Sequence, residues 1–407
     1  MKILHLSTYG SSGGAAIAAS RCVKALSDSG LDCFLLTLDN ASSVSPYIKL
    51  KSMIFNRIEL RLSNILDSGS QILQTYGFLG AAGLALVRYI NSSAIDLVHI
   101  HWVQGGFLSL KQISLIEKPI VWHLHDLWPL STAGHYPSAI AQASPSTIRQ
   151  LIEKEAALSS PLSQRSLYVK QQLVNRRRIG FVSPSKWIYN LSSALLERSK
   201  SFSVEIPFPS PLKYRRGNSD ELDICRGDYH LRISIGGSGF FSNPYKGSSD
   251  ALNVLEFLGR NNIRVMILCF GEIPPASFVE RVSCYHHLIG FGCIEQAEVI
   301  RCLRGSDLYL STSWLESYGL VVEEALSNGT PCLAYSDTGS ESIVRHMVDG
   351  ICIPYRNTVK MAEAVLYLAS NPVSLSWLQS GAKRRLSTES IFLAETKKLY
   401  KRIAFEG

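Results

Sequence analysis

Residues 1–38, MKILHLSTYGSSGGAAIAASRCVKALSDSGLDCFLLTL, decide the fold. An apolar run stops at a Tyr-Gly turn, the glycine-bearing GSSGGAA (10–16) opens a helical stretch, and a second unbroken apolar run follows. Strands covered on both faces read as continuous apolar runs, and a strand–helix–strand unit built from them predicts a parallel sheet. The alternation continues with strands expected in 95–102, 119–126 and 178–185 and helices near 54–66, 71–90, 109–117 and 147–157. The stretch VEIPFPSPLKYRRGNSDELD (204–223) interrupts it with closely spaced prolines and predicts a linker. The pattern then restarts with HLRISIGGSG, RVMILCFGE, HLIGFG, DLYLSTS, PCLAYS and GICIPY as strands and 248–260, 295–304, 320–328 and 340–347 as helices. Residues 359–406 read as mostly helical, broken at SNP (370–372). The expected fold is α/β, with two doubly wound parallel-sheet domains over 1–205 and 224–388. Residues 206–223 would link them, and 389–407 would form a C-terminal helix crossing back to the first domain.

The bulk properties fit that size. A chain of 407 residues with 46% hydrophobic and 18% charged residues is too long for one core and too apolar to be disordered. Nine cysteines are scattered with no C-x-x-C pair, which argues against a zinc site or disulfide frame and for a reducing compartment. The opening MKILHLSTYG lacks the apolar stretch of a secretory signal. The most apolar window, FLGAAGLALVRYI (78–90), is shorter than the roughly 20 residues of a spanning helix. A cytoplasmic protein, soluble or peripheral on the inner face of the membrane, is therefore expected. The net charge of +8 includes eight basic residues against one acid in 165–200. An anionic membrane surface and a merely solvated cationic face both fit that stretch. No nucleic-acid-binding motif accompanies it, so no nucleic-acid partner is expected.

Ligands of open parallel sheets sit beyond the carboxyl ends of the strands. At the first strand's end, Gly13 and Gly14 suit a close backbone approach to an anion at a helix N-terminus, and equally a plain tight turn. In WHLHDLWPL (122–130), His123 and His125 share a strand face; a sugar contact, a structural cap and a metal site with Asp126 are the readings to weigh. In SNPYKGSSDAL (242–252), Lys246 beside Gly247 suits a lysine folded onto a diphosphate, or an exposed loop lysine. TSWLESYGLVVEEALSNGTP (312–331) carries Glu316 in a strand-end loop and Glu323 and Glu324 on the following helix. The helical wheel does not choose between the last two, and the helix dipole favours an acid at either.

The spacing of Glu316 and Glu324, with seven residues between, resembles the E-x7-E signature of retaining family-four glycosyltransferases of the GT-B fold. GGAAIAASRCVKALSDSG is similar to their N-terminal glycine loop and first helix, and DTGSESIVRHMVDGICIP to their late donor-side segment. DLVHIHWVQGGFLSL, KPIVWHLHDLWPL and GHY resemble transferases of bacterial exopolysaccharide and lipopolysaccharide synthesis. The resemblance implies two Rossmann-like domains facing a central cleft and a UDP- or GDP-sugar donor. It implies a glycan or lipid-linked glycan acceptor, no metal and no other cofactor. By position it implies His125 near the donor sugar, Lys246 on the donor phosphates, Glu316 on the sugar hydroxyls and Glu324 on the ribose. Gly13, Gly14 and the backbone of Tyr318, Gly319 and Leu320 would complete donor binding, leaving Glu323 on the surface. The sequence departs from the pattern where Phe240 replaces an arginine and Tyr245 a basic residue, which removes cations from the diphosphate side. A nucleotide-sugar 2-epimerase and a non-catalytic sugar-nucleotide binder are the alternatives on the same scaffold.

Overall fold

In a computed structural model, the protein is described over residues 1–11, 13–38, 48–67, 75–137, 140, 144–211 and 228–405. It divides into two compact units, Met1–Pro209 with Thr388–Gly407, and Ser210–Ser387.

The first unit runs β1 (Lys2–Leu6), α1 (Gly14–Asp28), β2 (Asp32–Leu36), α2 (Ile48–Leu66), α3 (Gly83–Ser92), β3 (Leu97–Ile100), α4 (Leu110–Ser114) and β4 (Ile120–His123). It continues with α5 (Ile148–Leu158), α6 (Pro161–Arg176), β5 (Ile179–Ser183), α7 (Lys186–Leu196) and β6 (Phe202–Glu205). All six strands are parallel, in the order β2-β1-β3-β4-β5-β6. The second unit has β7 (Leu231–Gly236), α8 (Ser248–Arg260), β8 (Val265–Phe270), α9 (Ala276–Ser283), β9 (His287–Gly292), α10 (Gln296–Arg304), β10 (Leu308–Ser311) and α11 (Leu320–Ser327). It closes with β11 (Cys332–Tyr335), β12 (Gly350–Ile353), α12 (Thr358–Ser370) and α13 (Pro372–Lys383). Its parallel strands lie in the order β12-β11-β10-β7-β8-β9, the doubly wound dinucleotide-fold order. The last helix, α14 (Glu389–Phe405), packs on β4 and β5 of the first unit, with Leu399 and Ile403 against Gly180. This is the GT-B fold.

The fully buried strands explain the continuous apolar runs: every residue of β3, β4, β5, β8, β10 and β11 is buried. Departures from expectation have local causes. The helix expected over 71–90 begins only at Gly83, because the Glu59 carboxylate accepts from the backbone N–H groups of Gly77, Phe78 and Leu79 and holds them irregular. The helix expected over 340–347 is one 3-10 turn, Gly339–Ser342, after which Asp349 accepts from the Arg345 backbone and closes a turn. Helices α6, α7 and α9 and strand β6 are additions that the sequence pattern did not mark. Of the expected linker, Ile206 and Phe208 are buried, while residues 212–223, together with 71–74 and Cys225, lie outside the described residues. The eight described cysteines are all free.

Candidate active site

In the second unit the topological switch falls between β7 and β10, and the loops leaving these two strands carry Lys246 and Glu316. Lys246 closes a 3-10 turn, Pro244–Lys246, that Asn243 caps by accepting from the Tyr245 N–H. Glu272 anchors the preceding loop, accepting from the backbone N–H groups of Phe241 and Ser242 and from the Ser242 hydroxyl. Gly247 then turns left-handed (φ 72°) and passes so close to the Thr312 carbonyl that a Cβ there would collide with it. This contact, with the Trp314 N–H donating to the Tyr245 carbonyl at 2.7 Å, ties the lysine loop to the end of β10. The result is a Lys246 Nζ–Glu316 Oε2 ion pair of 2.8 Å, partly open to solvent.

The loop from Glu316 enters α11 through Gly319, whose φ of 107° favours glycine and which offers no side-chain cap. The first turn of a helix leaves backbone N–H groups without intrahelical partners, so this end attracts an anion. Beside it lies the Ser340 hydroxyl, buried and without a hydrogen-bond partner among the described residues, 2.7 Å from where a Gly319 Cβ would stand. Gly237, at the end of β7, packs against Val321 in the first turn. Tyr309 spans the switch from below, donating to the Gly236 carbonyl at 2.9 Å; burial drives its phenol well above the usual range, with Cys332 and then Glu316 and Glu324 adding to the shift. Lys246, Glu316, Tyr318, Gly319, Leu320 and Glu324 thus belong to one strand-end region, with Glu324 buried on α11.

Glu323 corrects the expectation of a surface acid. It is 1% exposed, and it accepts from Arg385, Ser210 and Ser327. Arg385 also binds Asp349, so one guanidinium joins two buried carboxylates. Burial opposes the charge on Arg385, but Glu323 and Asp349 outweigh it and raise its pKa. Phe240 sits in the apolar core, edge-on to Phe241, so that position has no route to a diphosphate. Arg356, which sequence reasoning missed, stacks 3.4 Å over Trp314 and brings a guanidinium to the same loop. Its only sequence signal was an arginine just past the last strand.

The first unit holds a different arrangement. Gly13 caps α1, and open space lies on its Cβ side; Gly14 begins the helix. His125 lies two residues past β4, not within it, at one end of a histidine chain. His101 Nδ1 shares a hydrogen bond with His125 Nε2 at 3.1 Å, and His101 Nε2 with His5 Nδ1 at 3.0 Å. His99 Nδ1 meets the Tyr400 hydroxyl of α14 at 2.6 Å. His123 stacks between these rings and Phe208, its two nitrogens unpartnered among the described residues. Burial pushes His5 down to about 3 and His125 to about 4, the latter against the opposing pull of Asp126, and holds His99, His101 and His123 well below their usual range. The chain is therefore neutral at pH 7. Asp126 turns instead to His135, at 2.5 Å, and to the Trp128 N–H, so it is not offered with His123 and His125 as a metal set. Nitrogens of His5, His99 and His101 do lie within 4.8 Å of one another, with the His99 and His101 rings stacked at 12° and the His5 ring tilted 31° to His99.

Residues 243–385, which contain Lys246, Glu316, Tyr318, Gly319, Leu320 and Glu324, match the family described as Glycosyl transferases group 1. With curated glycosyltransferase relatives and the GT-B architecture, this makes the chain a glycosyltransferase enzyme. Among particular relatives, it is 24% identical over 315 residues to the D-inositol 3-phosphate glycosyltransferase of Corynebacterium urealyticum, covering 73% of this chain and 68% of that one. Its fold is similar to that of Anabaena HepE, solved in complex with UDP and glucose (TM-score 0.58, 15% identity, 98% of this chain and 99% of that). It is similar also to WaaG, a glycosyltransferase involved in lipopolysaccharide biosynthesis (TM-score 0.59, 13% identity, 98% and 99%).

Proposed function

We propose that the protein is a retaining, family-four glycosyltransferase that moves a sugar from a UDP- or GDP-sugar to the hydroxyl of a glycan or lipid-linked glycan. The setting is bacterial cell-surface polysaccharide synthesis (O-antigen, capsule or exopolysaccharide) at the inner face of the cytoplasmic membrane. The observation that carries the reading is the Lys246–Glu316 pair at the uncapped N-terminus of α11. As the glycosyl–phosphate bond breaks, its electron pair passes to the diphosphate. Lys246, the α11 backbone N–H groups and the Ser340 hydroxyl stabilise that charge by preorganised electrostatics, a role that requires no metal. Glu316, released from Lys246 when the phosphate takes the lysine, accepts from the sugar hydroxyls, and Glu324 from the ribose. The acceptor oxygen attacks the anomeric carbon from the face the phosphate leaves, and its proton goes to a phosphate oxygen. His125 contacts the transferred sugar as a neutral hydrogen-bonding group. Support for the donor comes from HepE, crystallised with UDP and glucose, and for the setting from WaaG.

The test is nucleotide release across a panel of UDP- and GDP-sugars, with and without glycan acceptors. Acceptor-dependent release that both Glu316→Ala and Lys246→Ala abolish is expected; unchanged release in both variants means the site is elsewhere. The membrane contact expected of residues 165–200 draws less support from their placement. Lys170 is buried on two carbonyls, Arg177 binds those of Ile116 and Lys118, Arg178 stacks over Phe202 and Lys186 pairs with Glu205.

A further inference from the structure

Helix α2 is amphipathic the wrong way round for a soluble domain. Its inward face is polar: Ser52, Glu59 and Ser63 are at most 6% exposed. Ser52 donates to the Gly105 carbonyl, and Glu59 takes the three backbone N–H groups described above. Its outward face carries six exposed apolar side chains, with Arg57, Arg61 and Asn64 among them. Leu50, Met53, Ile54, Ile58, Leu62 and Ile65 are 37% to 74% exposed, and at helical spacing they fall within an arc of about 180°. Water gains nothing from such an arc, and a surface helix normally turns it inward. The polar anchors fix the opposite orientation, so the exposure is built in rather than left over.

We propose that α2 lies in the plane of an anionic lipid bilayer, its apolar arc among the acyl-chain boundary and its basic residues at the headgroups. Charge selects the lipid. The exposed charged side chains of the helix are Lys49, Lys51, Arg57 and Arg61, all basic, and its one acid, Glu59, is the buried anchor. Arg57 and Arg61 lie within this arc, where long side chains keep their stems in the apolar layer and their heads at the headgroups. A second copy of this chain is a poor occupant, because a twofold contact would set these like charges against one another. Near the end of the helix, Asp67 accepts from Ser160, and two residues before Ser160 stands a further exposed apolar side chain, Leu158, 82% exposed. The proposal rests on the membrane-side setting given above, and moves the contact from 165–200 to α2.

The experiment is vesicle co-sedimentation of the full-length protein, which reads binding without turnover, so loss of the lipid contact and loss of the assigned reaction are seen separately. Binding to phosphatidylglycerol-containing vesicles, weakened but not abolished by salt, is expected, with little binding to phosphatidylcholine alone. Ile54→Ser/Ile58→Ser should lower it about tenfold or more with an unchanged melting temperature, and Arg57→Gln/Arg61→Gln should lower it and flatten its salt dependence. Arg198→Gln/Lys200→Gln should leave it unaltered. In Leu62→Trp, indole fluorescence should be quenched by lipids brominated on the acyl chains. Equal binding by wild type and Ile54→Ser/Ile58→Ser, or unquenched Leu62→Trp, overturns the proposal. So does a wild-type dimer that Ile54→Ser/Ile58→Ser converts to monomer, which would give the face to a second copy.

Discussion

The two units build on the same kind of parallel sheet and place polar groups at the same strand ends, yet one end is neutral and the other charged. In the first unit the groups are imidazoles from β1, β3 and the segment after β4, hydrogen-bonded and stacked where burial keeps them uncharged. In the second they are an ammonium and a carboxylate, partly exposed, beside a helix N-terminus. A neutral imidazole can give or take a hydrogen bond with a sugar hydroxyl but offers nothing against the charge of a diphosphate, whereas a lysine and a helix dipole do. The contrast teaches that strand order alone does not set a site's chemistry; what leaves the strands does.

The contrast breaks first at Lys246. Lys246→Ala should lower turnover about 100- to 1,000-fold, the scale of removing one preorganised charge partner, with Lys246→Arg recovering part of it. Steady-state nucleotide release checks this, and a loss of only severalfold would leave the diphosphate to other groups. Arg385→Ala comes next, and acts on the support beneath the charged site. It takes the cation from the buried Glu323 and leaves Asp349 with Arg345 alone, for a loss of about 3–5 kcal/mol of stability. Denaturant unfolding measures it, and a loss under about 1 kcal/mol would mean water reaches both acids.

How far the sequence carried these sites differs between the units for physical reasons. Glu316 and Lys246 stand at strand ends whose apolar runs were unmistakable, so their addresses were readable from pattern alone. The choice of Glu324 over Glu323 came from resemblance, and the fate of Glu323 depended on Arg385, sixty-two residues on and invisible to any local pattern. The histidine chain was equally hidden. His5, His99, His101 and His125 come from three separate stretches, and only the β1-β3-β4 order brings them together. Helix α2 was found as a helix, but its inverted faces were not readable: apolar spacing marks a stripe without saying which side of it is inside.

The neutral end can be tested by acid. His5, His99, His101, His123 and His125 have pKa values held below the 6.5 they take when unfolded, so the unfolded chain binds more protons between those values. Their contribution is fully present above about pH 6.5 and is lost as pH falls below it. At about pH 5 the linkage amounts to about 2 kcal/mol per buried imidazole. Unfolding followed from pH 7 to 5 should therefore show a steep fall, reduced by about two fifths when His99→Gln and His123→Gln are combined. A flat profile would mean the rings already carry charge, and the contrast between the two ends would collapse.

The smallest effect is expected at Tyr400, and it asks whether the histidine chain is held together by α14. The Tyr400 hydroxyl meets His99 Nδ1 at 2.6 Å and His5 Nε2 at 3.4 Å, so it joins His99 to the hydrogen-bonded run that ends at His125. Tyr400→Phe keeps the buried ring and removes only the hydroxyl. His99, whose Nε2 has no partner among the described residues, is left with neither nitrogen paired to them, at a cost of about 1–3 kcal/mol for a buried polar group without its bond. The expected result is a lowered melting temperature with nucleotide release within about threefold of wild type, since His125 keeps its own bond to His101. A larger fall in kcat at unchanged KM would assign the run a second task, setting which nitrogen of His125 carries the proton toward the sugar. Nitrogen-15 shifts of the imidazoles would then differ between wild type and Tyr400→Phe at His125 itself, three bonded groups away from the change.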